Sequence, residues 1–177
     1  MRVREARPDE WPAIRDLRLR ALREDETAFG HTHALASART DDDWRRYAAA
    51  RPGDATFVAE AEDGRLVGMA RGHMTADPRV ADLYGMWVAP EARGRGAGRR
   101  LLDAVAGWAR AQGALRLVLW VAEDRPEARA LYARAGFVET GARDAMPHHP
   151  GVRIREMVLA MEDSSADSSR GPSLPAP

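Results

Sequence analysis

The segment best suited to chemistry is Val88-Ala89-Pro90-Glu91-Ala92-Arg93-Gly94-Arg95-Gly96-Ala97-Gly98-Arg99-Arg100. An apolar run ends at Val88, and a helical pattern opens near Gly98. Glycines at 94, 96 and 98 let the backbone approach a ligand with no Cβ in the way. The first N–H groups of a helix have no partner within it, and the helix dipole favours negative charge there. One Glu and four Arg between Glu91 and Arg100 give a net charge of +3. Together these features make an anion cradle, and a pyrophosphate suits it best. A plain strand-to-helix turn with a solvated basic face is the bland alternative, weakened by the cost of glycine where a helix opens. Two familiar anion loops fail. A Walker loop needs Gly-Lys, and the chain has no lysine. The dinucleotide fingerprint would need glycine at 99 or 101, which are Arg99 and Leu101, so a nicotinamide cofactor is disfavoured.

Composition removes further classes. The chain has 177 residues, with 27 basic and 27 acidic residues and no formal net charge. Without a basic excess, nucleic acid is not an expected partner. All the basic residues are arginine and there is no cysteine. Schiff-base and pyridoxal chemistry, thiol catalysis, disulfides and cysteine-ligated metals are therefore excluded. Ser37 is the sole serine before residue 164 and lies in Ala36-Ser37-Ala38, which is no nucleophile elbow. His31 and His33, or His148 and His149, lack a convincing ligand spacing, so no metal is expected. No apolar run approaches the length of a membrane span. The charged start, Met1 to Glu5, does not read as a signal peptide, and a cytoplasmic protein is the expectation.

The elements that must hold the loop follow from periodicity. Val3–Ala6 reads as a short strand. Asp9 is a plausible cap for a helix with Trp11, Ile14, Leu17 and Ala21 on its buried face. Phe29 to Thr32 is loop, and Asp41–Asp43 opens a second helix carrying Trp44 and Tyr47. Thr56–Glu62 and Leu66–Met74 are strands joined by the Asp63-Gly64 turn. Asp82–Val88 is the next strand. Gly98–Gln112 is a helix with Leu101, Leu102, Val105, Trp108 and Ala109 on one face. Leu115–Val121 is continuously apolar, which predicts a strand buried on both faces. Pro126 begins a last helix that stops at Gly136. Phe137–Thr140 and Ile154–Met161 close the sheet. Residues 1–162 form one α/β (α+β) domain with a mixed sheet. Residues 163–177, rich in Ser, Pro and Ala, read as a disordered tail.

With the strand and helix in place, Arg93-x-x-Gly96-x-Gly98 resembles the pyrophosphate loop Q/R-x-x-G-x-G/A of the GNAT superfamily of N-acetyltransferases. A second block, Ala128-x-x-Leu131-Tyr132-x-x-x-Gly136-Phe137, is similar to that family's A-x-x-L-Y-x-x-x-G-F helix. The resemblance covers about Val3 to Met161 in element order. It implies a mixed, mostly antiparallel central sheet of about seven strands flanked by about four helices. It implies acetyl-CoA as co-substrate, no metal, and a small-molecule or peptide amine as acceptor. Family members are often dimers, so a homodimer belongs to the same expectation.

The resemblance also assigns roles. Trp87, Val88, Arg93, Gly94, Arg95, Gly96, Ala97, Gly98, Arg99, Arg125 and Ala128 would contact the cofactor. The family often has Asn where this chain has Arg125, which cannot accept a hydrogen bond. Tyr132 would stand near the CoA sulfur and protonate it, since tyrosine keeps its proton at pH 7. The Val88 N–H would polarise the thioester carbonyl. An alkyl amine has a pKa of about 10.4, so a base must take its proton. Asp82 lies where some members carry a catalytic Glu, and strand alternation would place it on one face with Tyr84, Met86 and Val88. Glu123 is the second candidate base. Phe29, His31, Thr32, Trp44 and Tyr84 are candidates for the acceptor pocket. The reading is acetyl transfer to a primary amine by direct attack in a ternary complex. The alternative is a non-catalytic acyl-CoA-binding module on the same fold.

Overall fold

The structure is a computed structural model that describes residues 1–49 and 51–162. The tail expected over 163–177 lies outside the described residues. The chain runs β1 (Arg2–Glu5), α1 (Trp11–Glu24), α2 (His33–Ser37), α3 (Asp41–Ala48), β2 (Asp54–Glu60), β3 (Leu66–Met74), β4 (Val80–Val88), α4 (Ala97–Ala111), β5 (Arg116–Ala122), α5 (Pro126–Arg134), β6 (Val138–Met146) and β7 (His149–Ala160). The seven strands form one sheet in the order β1-β2-β3-β4-β5-β7-β6. Among the described residues only β4 and β5 run parallel; the other pairs are antiparallel.

Each face of the sheet is covered by helices whose apolar stripes the sequence carries. On one face α4 buries Leu101, Leu102, Val105, Ala106 and Ala109 against β1 to β4. Gly72 lets it come close, because a Cβ there would sit 2.4 Å from the Trp108 ring. On the other face α1 buries Ile14, Leu17, Ala21 and Leu22, and α3 adds Trp44. A buried aliphatic side chain of this size contributes about 1.5–3 kcal/mol. A capping box starts α3: Thr40 Oγ1 accepts from the Asp43 N–H at 3.2 Å, and the Asp43 carboxylate accepts from the Thr40 N–H at 3.0 Å. The Asp63-Gly64 turn joins β2 and β3, with Gly64 at φ 82°.

Several expectations are corrected. Asp9 does not cap α1; a 3-10 turn over Pro8–Glu10 precedes it, and Glu10 accepts the Arg7 N–H at 2.8 Å. Among the described residues the α-helices number five, in keeping with the expected count of about four; the added one is α2, a single short turn that Thr32 caps by accepting the Leu35 N–H. The strand expected over Phe137–Thr140 runs on to Met146, and β7 starts at His149. Both extensions are polar edge sequence, held by pairing and not by an apolar period. Finally, β5 is not buried on both faces. Trp120 is 42% exposed, because beyond Val118 its second face fronts open cavities.

Candidate active site

The site begins with a fault in the sheet. The β4–β5 ladder pairs Val80, Ala81 and Asp82 with Arg116, Leu117 and Val118 and then stops. Past that point the strands part. Ala89 N–H donates to the Val67 carbonyl at 2.8 Å, so ladder alternation turns the Val88 N–H toward the gap. In the same stretch β4 is bulged. Tyr84 faces Arg71 and Trp87 faces Met69, so Gly85 and Met86 together oppose Ala70. Gly85 adopts φ 63°, a left-handed conformation natural to glycine.

The bulge reverses the side chains that follow it. Tyr84 stays on the face of α1 and α3, with the Arg71 guanidinium 5.2 Å from its ring, and Asp82 shares that face opposite His73. Met86 and Val88 turn to the opposite face, near Gly98 of α4. Uninterrupted alternation would have kept all four together, so that expectation is corrected.

Two cavities meet at this fault. The first, the glycine-loop groove, has a volume of about 1000 Å³. It runs between α4 and α5 along Met86, Trp87 and Val88 and includes Arg93, Gly94, Gly96, Ala97, Gly98, Arg99, Arg125, Ala128 and Tyr132. Gly94 and Gly96 have φ of 72° and 78°, and Gly96 is the N-cap of α4. Arg100 N–H donates to Gly96 O, so the N–H groups of Ala97, Gly98 and Arg99 precede the helical ladder. A Cβ at Gly98 would press on Leu131 at 3.1 Å and Met86 at 3.4 Å. Arg93 Nε holds the loop to the end of β4 through the Val88 carbonyl at 2.9 Å. These donors, the flanking guanidiniums and the groove's length fit a pyrophosphate with a long arm. Arg95 is exposed and lines neither cavity.

Tyr132 lies on α5 facing the groove, buried, and its hydroxyl donates weakly to Met86 Sδ at 3.7 Å. Burial pushes its pKa up to about 12, so the phenol holds its proton. Arg125, at the start of α5, crosses the groove. Its Nη2 donates to Asp25 Oδ1 at 2.6 Å and to Thr27 Oγ1 at 2.7 Å.

The second cavity, of about 840 Å³, lies on the α1 side. Ala28, Phe29 and Trp120 border both cavities. Phe29, His31, Tyr84 and Asp82 line this one, whereas Thr32 serves as the α2 cap and Trp44 is core. Asp82 is half-buried; loss of water raises its pKa, His73 opposes the rise and Glu156 adds to it. Burial, then Arg39, holds His31 below its usual value. Glu123 lines neither cavity and is engaged by Arg155 at 3.0 Å and Arg143 at 3.7 Å. The turn between β6 and β7 forms one wall, where Pro147 packs against Gly30. Sequence reasoning gave no site role to Arg18, Arg39, Tyr47, Arg71 or the His73–Asp54 pair at 2.6 Å. Each stands alone in the sequence, and no local spacing joins them.

The profile of the acetyltransferase (GNAT) family matches residues 11–137. The chain belongs to this family. An uncharacterized N-acetyltransferase of Mycobacterium tuberculosis is 35% identical to it over 106 residues, 58% of this chain and 67% of that one. The aminoglycoside N(6')-acetyltransferase type 1 of Stenotrophomonas maltophilia is 36% identical over 93 residues, 49% of this chain and 61% of that one. A Salmonella typhimurium protein proposed to be an acetyltransferase, solved with its cofactor acetyl-CoA, shares the fold with a TM-score of 0.74. It is 21% identical, with 98% of each chain covered. As a GNAT member, the chain is an N-acetyltransferase with the seven-stranded, mostly antiparallel sheet of that fold. No helix among the described residues is long and apolar enough to cross a membrane.

Proposed function

We propose that this GNAT enzyme moves the acetyl group of acetyl-CoA to a primary amine by direct attack in a ternary complex. One observation carries the reading: two cavities on opposite faces of the sheet meet where β4 and β5 part, with Phe29 and Trp120 bordering both. A donor and an acceptor bound in them would touch only at that gap. The glycine-loop groove suits the acetyl-CoA found with the Salmonella typhimurium protein.

Acetyl-CoA supplies an acyl thioester, whose C–S bond breaks as the new N–C bond forms. The chain's residues do the rest. Ala97, Gly98 and Arg99 offer backbone donors to the pyrophosphate, with the Arg93 and Arg99 side chains beside them. The Val88 N–H aims at the acyl oxygen as negative charge gathers on it; such a donor is worth about 2.7–4 kcal/mol. The amine reaches the α1-side cavity as an ammonium, loses one proton to solvent and gives the second to the Asp82 carboxylate. The raised pKa of Asp82 makes it a stronger base than an ordinary aspartate. The Tyr132 hydroxyl returns a proton to the departing sulfur. Burial also makes its phenolate costly, so it must recover that proton from solvent or from Asp82 within the turnover.

Calorimetric titration with acetyl-CoA tests the first half. One site per chain with a Kd of about 1–100 μM is expected, lost in Gly96→Glu with the fold intact. Tyr132→Phe tests the second half. It should bind acetyl-CoA normally and lose about 100-fold in kcat. Absent binding at millimolar acetyl-CoA in a folded sample would overturn the cofactor reading. Unchanged turnover in Tyr132→Phe would remove the acid assignment.

A further inference from the structure

The α1-side cavity holds an unusual collection of charge. Arg18 and Arg71 are only 8% and 7% exposed, and Arg39 stands half-buried beside them. Among the described residues, the other arginines that are partly withdrawn from solvent pair with carboxylates, as in Arg4–Glu10, Arg20–Glu91 and Arg155–Glu123, and those left unpaired are exposed. Among the described residues these three have no carboxylate partner. Arg71 Nε donates to Thr56 Oγ1 at 3.0 Å, Arg39 Nη2 lies 3.4 Å from His31 Nε2, and Arg18 Nη1 is buried without any partner. Aromatic faces hold them in place instead. Arg18 lies 4.2 Å from the Phe29 centroid, and Arg71 and Arg39 lie 4.0 Å and 5.1 Å from the Tyr47 centroid.

Three neighbouring guanidiniums withdrawn from water and left without an anion are costly. Burial, and then the like charges of Arg39 and Arg71, work against the charge of Arg18. A bound anion would offset both. The carboxylates in the same cavity do not fill that role. Asp54 is engaged by His73, Asp144 Oδ1 accepts the Ala145 N–H at 2.7 Å, and Asp82 sits opposite His73. The cavity therefore offers a carboxylate for an ammonium and separate guanidiniums for an anion.

Position narrows the ligand further. Arg18 Nη1 lies 3.9 Å from where a Cβ on Gly85 would sit, and its ring partner Phe29 borders both cavities. The cationic cluster is thus at the junction, close to the point of transfer, and the anion must lie close to the attacking nitrogen. Resting on the acetyl-transfer reading above, we propose that the acceptor is an α-amino acid, its carboxylate held by Arg18, Arg71 and Arg39. Its amine nitrogen forms the new N–C bond as the thioester C–S bond breaks, giving an N-acetyl amino acid and free CoA. Polycationic acceptors of the kind named for the Stenotrophomonas maltophilia relative would meet repulsion here.

The test offers acetyl-CoA with each standard L-amino acid, each α-carboxamide, spermidine and kanamycin. Thiol release is read directly, since the chain has no cysteine of its own. At least one free amino acid should turn over, with kcat/KM about 10–100-fold above its carboxamide. The same amino acid, but not its amide, should raise the melting temperature of the cofactor-free chain. Arg39→Gln, at the half-exposed rim, should raise KM for the amino acid about 10-fold and leave KM for acetyl-CoA unchanged. Arg18→Met should abolish amino-acid turnover and melt no lower than the parent, because a buried unpaired charge has gone. Preferred turnover of spermidine or kanamycin, or equal rates for acid and amide, would overturn the inference alone. A chain that binds acetyl-CoA but acetylates no amine of any kind would overturn the transfer reading and this inference with it.

Discussion

Asp82 is the residue on which chemistry and stability pull in opposite directions. It is withdrawn from water on β4, opposite His73 and within the field of Glu156. Burial is the largest influence and raises its pKa above the ordinary aspartate value. For an acid so shifted, the folded state prefers the protonated form. Its contribution to stability is fully present below the ordinary aspartate range and is lost as pH rises through the raised value. Catalysis needs the other form, so the acid limb of kcat/KM should follow that same raised pKa. Asp82→Asn separates the two effects. Turnover should fall by about 100-fold or more, the acid limb should disappear, and thermal stability at pH 7 should equal or exceed the parent. A pH–rate profile with an unchanged acid limb would exclude Asp82 as the base.

Among the elements, β4 decides the site because one residue breaks its alternation. The single glycine within Leu83-Tyr84-Gly85-Met86-Trp87 is a bulge with φ 63°, a role that a lone glycine inside a strand often has. One extra residue exchanges the faces of everything beyond it. Asp82 and Tyr84 therefore meet the α1-side cavity while Met86 and Val88 meet the groove. The glycine loop was legible because its signal is local: three glycines and a helix start within a few residues. The mixed sheet and the long helices were legible from their apolar periods. The cluster of Arg18, Arg39 and Arg71 was not, because its members come from α1, the α2–α3 connection and β3, and each reads alone as a solvated charge. The polar β6–β7 hairpin also lacked any period to announce it. Gly85→Ala tests the bulge. Its Cβ would meet nothing closer than Arg18 Nη1 at 3.9 Å, so the cost is the left-handed backbone, about 1–2 kcal/mol. That is a loss of roughly 2–8 °C in melting temperature for a domain of this size. If the bulge holds both cavities in register, kcat should fall by at least about 10-fold at a temperature where the variant remains folded. Full activity in a destabilised variant would show that the bulge is structural only.

For the molecule as a whole, the question is how the two sides of the groove are held at the right separation. Arg125 ties the start of α5 to the turn after α1 through Asp25 and Thr27, and both Arg125 and Asp25 line the groove. Each partner of the ion pair is about a third exposed (32% and 29%), so solvent screens it and its contribution to folding alone is about 0–1 kcal/mol. Its larger effect should appear with ligand present, when the groove must keep its width around a long cofactor. Acetyl-CoA at 100 times its Kd stabilises the folded state by about 2.7 kcal/mol, or roughly 5–11 °C here. A tenfold weaker Kd removes about 1.4 kcal/mol of this, or roughly 3–6 °C. Arg125→Ala should therefore melt close to the parent without ligand and lose roughly 3–6 °C of the acetyl-CoA-induced shift at a fixed concentration. A variant that keeps the full shift would show that Arg125 only joins α5 to α1 and does not set the groove's affinity. A variant that melts several degrees lower before ligand is added would show that the bridge supports the fold itself.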